Sequence, residues 1–366
     1  PTRRREAVGH VRETLTVSER RACRVLGQVR RTQRYTLKMA DDETVLTENI
    51  VYLASEYGRY GYRRITAMLR TDGWGVNHKR VERIWRQEGL KVPTRQPKRS
   101  RMWFNDGSCI RLRPEHRNHV WAYDFVFDRT REGRPLKFLN VVDEYTRECL
   151  AIKVDRRQTS RDVLRTLAQL MLKHGVPEHI RSDNGPPFAS VGLGSLSPLA
   201  VWWVKLGIVP ERIEPGHPEQ NGRLERLHRT LKAETASPPR ATTRRQQRAF
   251  DTFRQTYNIE RPHEALGQQP PARRYHASPR SYPSRVRAPE YDVEMTVRQV
   301  RTNGQIKWKG NTIYLSESLK GEPIGLKQRD DRFWTIHFGP LSIGLLDDHA
   351  RCILNTPTKV LPMSPV

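Results

Sequence analysis

The sequence predicts an α/β protein in three parts: a basic helical N-terminal region with a helix-turn-helix, a central sheet-and-helix core, and a small C-terminal β-barrel. Three observations predict it. Apolar residues recur at helical spacing through 41–90, as Ile50, Leu53 and Ala54, then Ile65, Met68 and Leu69, then Val81, Ile84 and Trp85. Three runs dense in β-branched and aromatic residues fill 119–154 and lead into a helix-patterned stretch at 160–174. The final section, 291–348, alternates apolar and polar residues between turn signals at Asn303-Gly304, Gly310-Asn311 and Asp330-Asp331. The resulting segments are 1–40 (basic and helical), 41–92 (helix-turn-helix), 93–116 (basic linker), 117–272 (core), 273–289 (linker) and 290–352 (barrel).

Charge is the most informative bulk property. The 366 residues carry 66 Lys and Arg against 40 Asp and Glu, a formal charge of +26, and the pI is near 10.5. Such a balance points to phosphate neutralisation and so to nucleic acid. No apolar run reaches the roughly 18 residues that suggest a membrane helix, and no signal-peptide pattern is present. Hydrophobic residues make up 36% of the chain and mean hydropathy is −0.77, which fits several small cores under a large solvated surface. Cys23, Cys109, Cys149 and Cys352 are scattered with no Cys-x-x-Cys pair, as expected of a reducing compartment.

In the Arg-rich first segment, Ser18 and Gly27 mark the start and end of a short helix, with Arg30, Arg31 and Arg34 beyond it. In 41–92, Gly58, Gly61, Gly73 and Gly75 punctuate three short helices. Arg63, Arg64, Lys79, Arg80 and Arg83 are expected on their exposed faces, as DNA contacts. Pro93, Pro97 and Pro114 interrupt the basic linker, where Trp103 and Phe104 are expected to pack on the core.

The core opens with the strand 119–127, in which Asp124 stands among Trp121, Tyr123, Phe125 and Val126. A carboxylate in such a strand is costly unless something pairs with or coordinates it. Asp128 and Asp143 are rivals expected to be solvated, at a fraying strand end and before the turn-like Glu144-Tyr145-Thr146-Arg147. Strands 136–143 and 149–154 complete a meander. Helix 160–174 should bury Val163, Leu164, Leu167, Leu170 and Met171, and strand 180–182 delivers Asp183 to the sheet edge at Asn184-Gly185. A Gly/Ser-rich loop, a helix at 199–206 with Trp202 and Trp203, and a short strand at 208–209 follow. Past His217-Pro218-Glu219, a helical pattern carries Leu224, Leu227 and Leu231 inward, with Glu225, His228, Arg229 and Lys232 on the neighbouring face. Residues 242–258 continue helical.

Trp121-x-x-Asp124, Ser182-Asp183-Asn184-Gly185 and Gly222-x-x-Glu225 followed by Lys232 together resemble the ribonuclease H-like catalytic core of Asp-Asp-Glu transposases and integrases. Tyr257-Asn258-Ile259-Glu260-Arg261-Pro262-His263-Glu264-Ala265-Leu266-Gly267 resembles the tail motif of bacterial insertion-sequence transposases. Tyr60-Gly61-Tyr62-Arg63-Arg64-Ile65 resembles the helical DNA-binding region that precedes the core in that group. The resemblance implies a ribonuclease H-like sheet and an SH3-like C-terminal barrel. It implies Asp124, Asp183 and Glu225 as catalytic and metal-binding residues, with two Mg²⁺ or Mn²⁺ ions, and DNA-phosphate contacts from Arg229 and Lys232; Asn184 and His217 are further helpers. The partners implied are the element's terminal inverted repeats and target DNA, bound by a dimer or higher homo-oligomer in the bacterial cytoplasm at the nucleoid. The chain opens at Pro1 rather than Met, so an upstream piece is expected, either missing or supplied by a frameshifted partner frame as in the resembled group.

The third acid is a choice between Glu219 and Glu225, which follow Asp183 by 36 and 42 positions. The spacing common in the resembled group selects Glu219. Physical placement selects Glu225, because Glu219 lies between Pro218 and Gly222 whereas Glu225 is fixed in a packed helix. Metal-dependent 3′-end cleavage and strand transfer is the activity expected. The alternatives are a repressor descended from a dead transposase, indifferent to metal and to all three acids, and a nuclease that cuts but never joins.

Overall fold

The computed structural model describes residues 2–35, 40–93, 112–182, 193–213, 221–236, 238–274 and 278–354, in two units, Pro1–Thr94 and Arg95–Val366. The first unit is helical: α1 (Thr2–Leu15), α2 (Glu19–Val25), α3 (Arg30–Gln33), α4 (Glu43–Glu56), α5 (Tyr62–Thr71) and α6 (His78–Gln87). Ser18 caps α2 as expected, its hydroxyl accepting from the Arg21 amide. Helix α1 was hidden in the Arg-rich stretch; Val8 packs it against Ala22 and Cys23. The three expected helices α4–α6 share one core, built on Leu46, Ile50, Leu53, Ile65, Leu69, Val81, Ile84 and Trp85.

The second unit opens with β1 (Val120–Arg129), β2 (Pro135–Asp143), β3 (Cys149–Asp155), α7 (Ser160–His174), β4 (His179–Ser182), α8 (Pro198–Lys205), β5 (Val209–Arg212), α9 (Gly222–Thr235) and α10 (Thr243–Ile259). The sheet order is β3-β2-β1-β4-β5. Strands β1 to β3 are antiparallel, and β4 and β5 run parallel to β1. This is the ribonuclease H-like order that the sequence predicts. Alternation in β1 divides the two faces. Trp121 and Tyr123 join α7 and α8 in one core. Ala122 and Val126 join Leu224, Leu227 and Leu231 of α9 and Phe250 and Phe253 of α10 in another. Helix α7 has the expected limits, with a Thr159–Asp162 capping box, but Leu164 is exposed rather than buried.

The C-terminal region is β-rich, as the alternation predicts. Strands β6 (Thr296–Gln299), β7 (Gln305–Trp308), β8 (Asn311–Tyr314), β9 (Pro323–Gln328), β10 (Phe333–Phe338), β11 (Leu341–Asp347) and β12 (Cys352–Leu354) form a five-stranded sheet, β12-β11-β10-β9-β6, and a separate hairpin, β7-β8. Among the described residues no ladder joins β6 to β12. Lys309 and Gly310 take φ of 42° and 83°, so the chain folds straight back and Ile306 pairs with Ile313 instead of a strand of the larger sheet. Val293 precedes β6 and is exposed, so alternation began too early in the prediction.

The stretch expected as a linker at 273–289 includes a strap onto the core. Arg280 donates to the carbonyls of Pro177, Leu206 and Gly207 at 2.9–3.1 Å, and its own carbonyl accepts from the Val176 amide. The C-terminal sheet and the Trp121 face of the core are one hydrophobic cluster. Contact there is close: a Cβ on Gly344 would meet Leu193 Cδ1 at 2.6 Å. The C-terminal sheet thus shares the α7–α8 face, while Asp124 belongs to the α9 face.

Candidate active site

Three leucines seat α9. Leu224, Leu227 and Leu231 are 0–2% exposed and pack on the β1 face that holds Ala122 and Val126. With that stripe turned inward, the 3.6-residue period sets Glu225, His228 and Lys232 along one flank. His228 Nδ1 lies 3.7 Å from Asp124 Oδ2. Lys232 Nζ donates to the Phe127 carbonyl at 3.1 Å and stands 3.6 Å from Asp128 Oδ2. Helix α9 therefore runs beside β1 in the same direction. Glu225, in the first turn of α9, is exposed, as is Arg229. Asp124 is half-buried, and its Oδ1 accepts from the Phe125 amide at 2.7 Å.

Burial, with nearby Lys232, pushes His228 down to about 4, so the ring is neutral at pH 7. A depressed histidine contributes stability above its unfolded value and loses it as pH falls from 6.5 towards 4. Proton NMR of the His228 ring is expected to show a midpoint near pH 4; an ordinary midpoint near 6.5 would mean that the ring is solvated.

Asp183 lies outside the described residues, as do Glu219, Asn184, His217, Trp103 and Phe104. Strand β4 ends at Ser182, immediately before Asp183, and Arg181 pairs in register with Ala122, two positions before Asp124. Of the two rival acids, Asp143 departs from expectation. Asp128 is still within the β1–β2 ladder, opposite Leu136. Asp143 is fully buried, not solvated: it accepts from the amides of Asn118, Tyr145 and Thr146 and from the Thr146 hydroxyl. Burial pushes its carboxyl up while those hydrogen bonds oppose the shift. It closes the β2–β3 turn.

Three residues near the site went unmarked in the sequence. Asn140, fully buried, is the register partner of Asp124. Glu144, expected in a solvated turn, is buried between Arg181 and Arg223. Arg181 carried a readable signal, since a cation between Ile180 and Ser182 in a buried strand needs a partner as much as Asp124 does. Burial opposes its charge, but Glu144 and Glu211 outweigh that and raise its pKa.

In the helix-turn-helix, Arg63 and Lys79 are exposed, and Arg64 lies half-buried with its guanidinium 5.3 Å from the Tyr60 ring centre. Arg80 and Arg83 do not project as expected. Arg80 reaches Asp42 and Glu43 at 2.5 and 3.1 Å, and Arg83 reaches Glu43 at 2.5 Å, so both brace α6 on the start of α4.

Among the described residues, His116, His119 and Glu178 have metal-ligand spacing. They sit where β1 and β4 begin, and Asp124 is further along β1. His119 Nδ1 accepts from the Glu115 amide at 3.0 Å, so the neutral ring carries its proton on Nε2, facing Glu178. His116 Nε2 and His119 Nε2 lie 3.4 and 3.9 Å from the Glu178 carboxylate.

Models of the integrase core domain match residues 114–218 and 206–271, and an HTH-like domain model matches 40–98. A 31.7 kDa protein of insertion element IS407 from Burkholderia multivorans is 35% identical over 263 residues, spanning 72% of this chain and 92% of that protein. The chain belongs to the integrase-core transposases of bacterial insertion elements. A 39.2 kDa protein of insertion element IS476 from Xanthomonas euvesicatoria is 34% identical over 74% of this chain and 76% of its own length. The transposase of IS904 from Lactococcus lactis is 26% identical over 64% of this chain and 94% of its own length. In this transposase the HTH-like match falls on α4–α6, and the two core matches span β1 to α10. No helix among the described residues is long and apolar enough to cross a membrane.

Proposed function

We propose that this transposase cleaves the 3′ ends of its element and joins them to target DNA with Asp124, Asp183 and Glu225 as the catalytic, metal-binding acids. The observation that carries the reading is the pairing of α9 with β1: the flank that presents Glu225 is the one whose His228 meets Asp124. The donor set suits a hard divalent cation. Asp124 and Glu225 offer carboxylate oxygens, one half-buried and one open to solvent, as Mg²⁺ or Mn²⁺ that keeps part of its water requires. Asp124 and Asp183 would share one ion, and Asp124 and Glu225 a second. When bound, a pair of such ions activates an attacking water or 3′-hydroxyl and stabilises the leaving oxygen.

The chain's own groups do the rest. His228, neutral at pH 7, keeps a positive charge away from the Asp124 carboxylate. Exposed Arg229 and partly exposed Lys232 lie on the same helix and position phosphates. Arg63, Arg64 and Lys79 hold duplex DNA directly, and Arg80 and Arg83 serve by fixing α6. Two element ends must meet, so a dimer or higher homo-oligomer assembles on DNA.

The test is cleavage and joining on DNA carrying the element's ends, in Mg²⁺ and in EDTA, with Asp183→Asn alongside. Metal-dependent joined product that vanishes in the variant is the expected result. Cleaved but never joined DNA would make the protein a nuclease, and metal-independent binding without product would make it a repressor.

A further inference from the structure

Glu144 contacts β1 and α9, which carry Asp124 and Glu225, and β4, which ends one residue before Asp183 in sequence. Its amide donates to the Val120 carbonyl at the start of β1 at 3.0 Å. Its Oε1 receives Arg181 Nη1 of β4 at 2.5 Å. Its Oε2 and its carbonyl both receive Arg223 Nη1 of α9, at 2.8 and 3.0 Å. Arg181 lies two positions before Asp183 and Arg223 two before Glu225. Arg181 also binds Glu211 of β5 at 2.8 Å and the Leu112 carbonyl at 2.7 Å. Among the described residues, the Glu144 and Glu211 carboxylates thus pair with the Arg181 and Arg223 guanidiniums, with the Glu144 and Arg181 side chains 0% and 1% exposed.

Such a network is an expensive way to hold a fold. Desolvation costs several kcal/mol per ion, and well-packed apolar replacements are often neutral or stabilising. What it supplies is direction. Two charge-assisted bonds from one carboxylate fix the separation of the two guanidiniums, and with it the ends of β4 and α9. Metal coordination is sensitive to that separation, and Mg²⁺ demands near-ideal geometry.

We propose that Glu144 is a positioning residue for this transposase, a buried strut that sets the spacing of β1 and α9, which carry Asp124 and Glu225, and of β4, which leads into Asp183. The proposal rests on the reading of those acids as metal ligands. It differs from a folding role in what it predicts for variants that fold.

The test uses the full chain with Glu144→Gln and Arg223→Met. Binding of Mn²⁺ is followed through the paramagnetic resonance of the free ion, and cleavage of end-bearing DNA is titrated with Mg²⁺. Both variants are expected to bind Mn²⁺ about 10–100-fold more weakly. The Mg²⁺ needed for cleavage should rise by a like factor, and DNA affinity in EDTA should stay unchanged. Arg223→Met leaves the Arg181–Glu144 pair in place, so it decides the matter where Glu144→Gln does not fold. A folded Arg223→Met whose metal curves superimpose on wild type overturns the strut. So does an Arg223→Met that cannot fold, since the network would then only build the domain. Glu225→Gln separates the two readings. Wild-type Mn²⁺ binding there ends the triad reading and the strut with it, whereas lost binding there beside an unchanged Arg223→Met ends the strut alone.

Discussion

Asp124→Asn is expected to lower strand cleavage by ~10³-fold or more, equivalent to about 4 kcal/mol of lost transition-state stabilisation. The substitution is a narrow one. An asparagine oxygen can still accept from the Phe125 amide, the contact that Asp124 Oδ1 makes now, so this local contact in β1 survives. What is lost is the negative charge that, on the proposed reading, would draw a divalent ion to the α9 face. Binding to DNA in EDTA should therefore match wild type, because it depends on the basic surface of a chain with formal charge +26. Cleavage retained within tenfold would remove Asp124 from the catalytic set and return Asp128, which faces Lys232 at 3.6 Å, to consideration.

Leu227→Ala is the second large effect, because it separates the seat of α9 from the chemistry proposed for Glu225. Leu227 is 2% exposed in the core shared by α9, α10 and β1. Truncation there should cost about 2–5 kcal/mol through lost burial and a residual cavity. Leu326→Ala, at a position 0% exposed in the C-terminal sheet, should cost a similar amount. Their activities should diverge. A shift of α9 by about 1 Å displaces Glu225 and can cost up to ~10²-fold, while the Leu326 variant alters a core on the far face of the sheet. Thermal unfolding and cleavage, both measured below the melting range of either variant, make the comparison. Equal activity loss in the two would mean that stability alone sets the rate.

How much of the site was legible depends on the range over which a signal acts. Asp124 was readable because an acid among Trp121, Tyr123 and Phe125 conflicts with its own strand. Glu225 was preferred over Glu219 for the same kind of local reason: Leu224, Leu227 and Leu231 mark a helix with a buried stripe, and the structure seats it so. Arg80 and Arg83 show the limit. Helical spacing correctly placed them off the apolar face of α6, yet it could not reveal Asp42 and Glu43, roughly 40 positions earlier in sequence, as their partners. Asp143 failed similarly, since a Glu144-Tyr145-Thr146-Arg147 turn looks solvated until Asn118 and its amide are folded over it.

The sequence by itself determined the order of strands and helices in the core, which face of α9 turns inward, and the family, because periodicity and short motifs are properties of neighbours along the chain. The tertiary structure alone decided that His228 meets Asp124, that Arg280 straps the supposed linker to the core, and that Glu144 lies between Arg181 and Arg223. Each of these joins groups tens of residues apart. A buried charge announces that it needs a counter-charge, but only the closed fold brings that counter-charge within 3 Å.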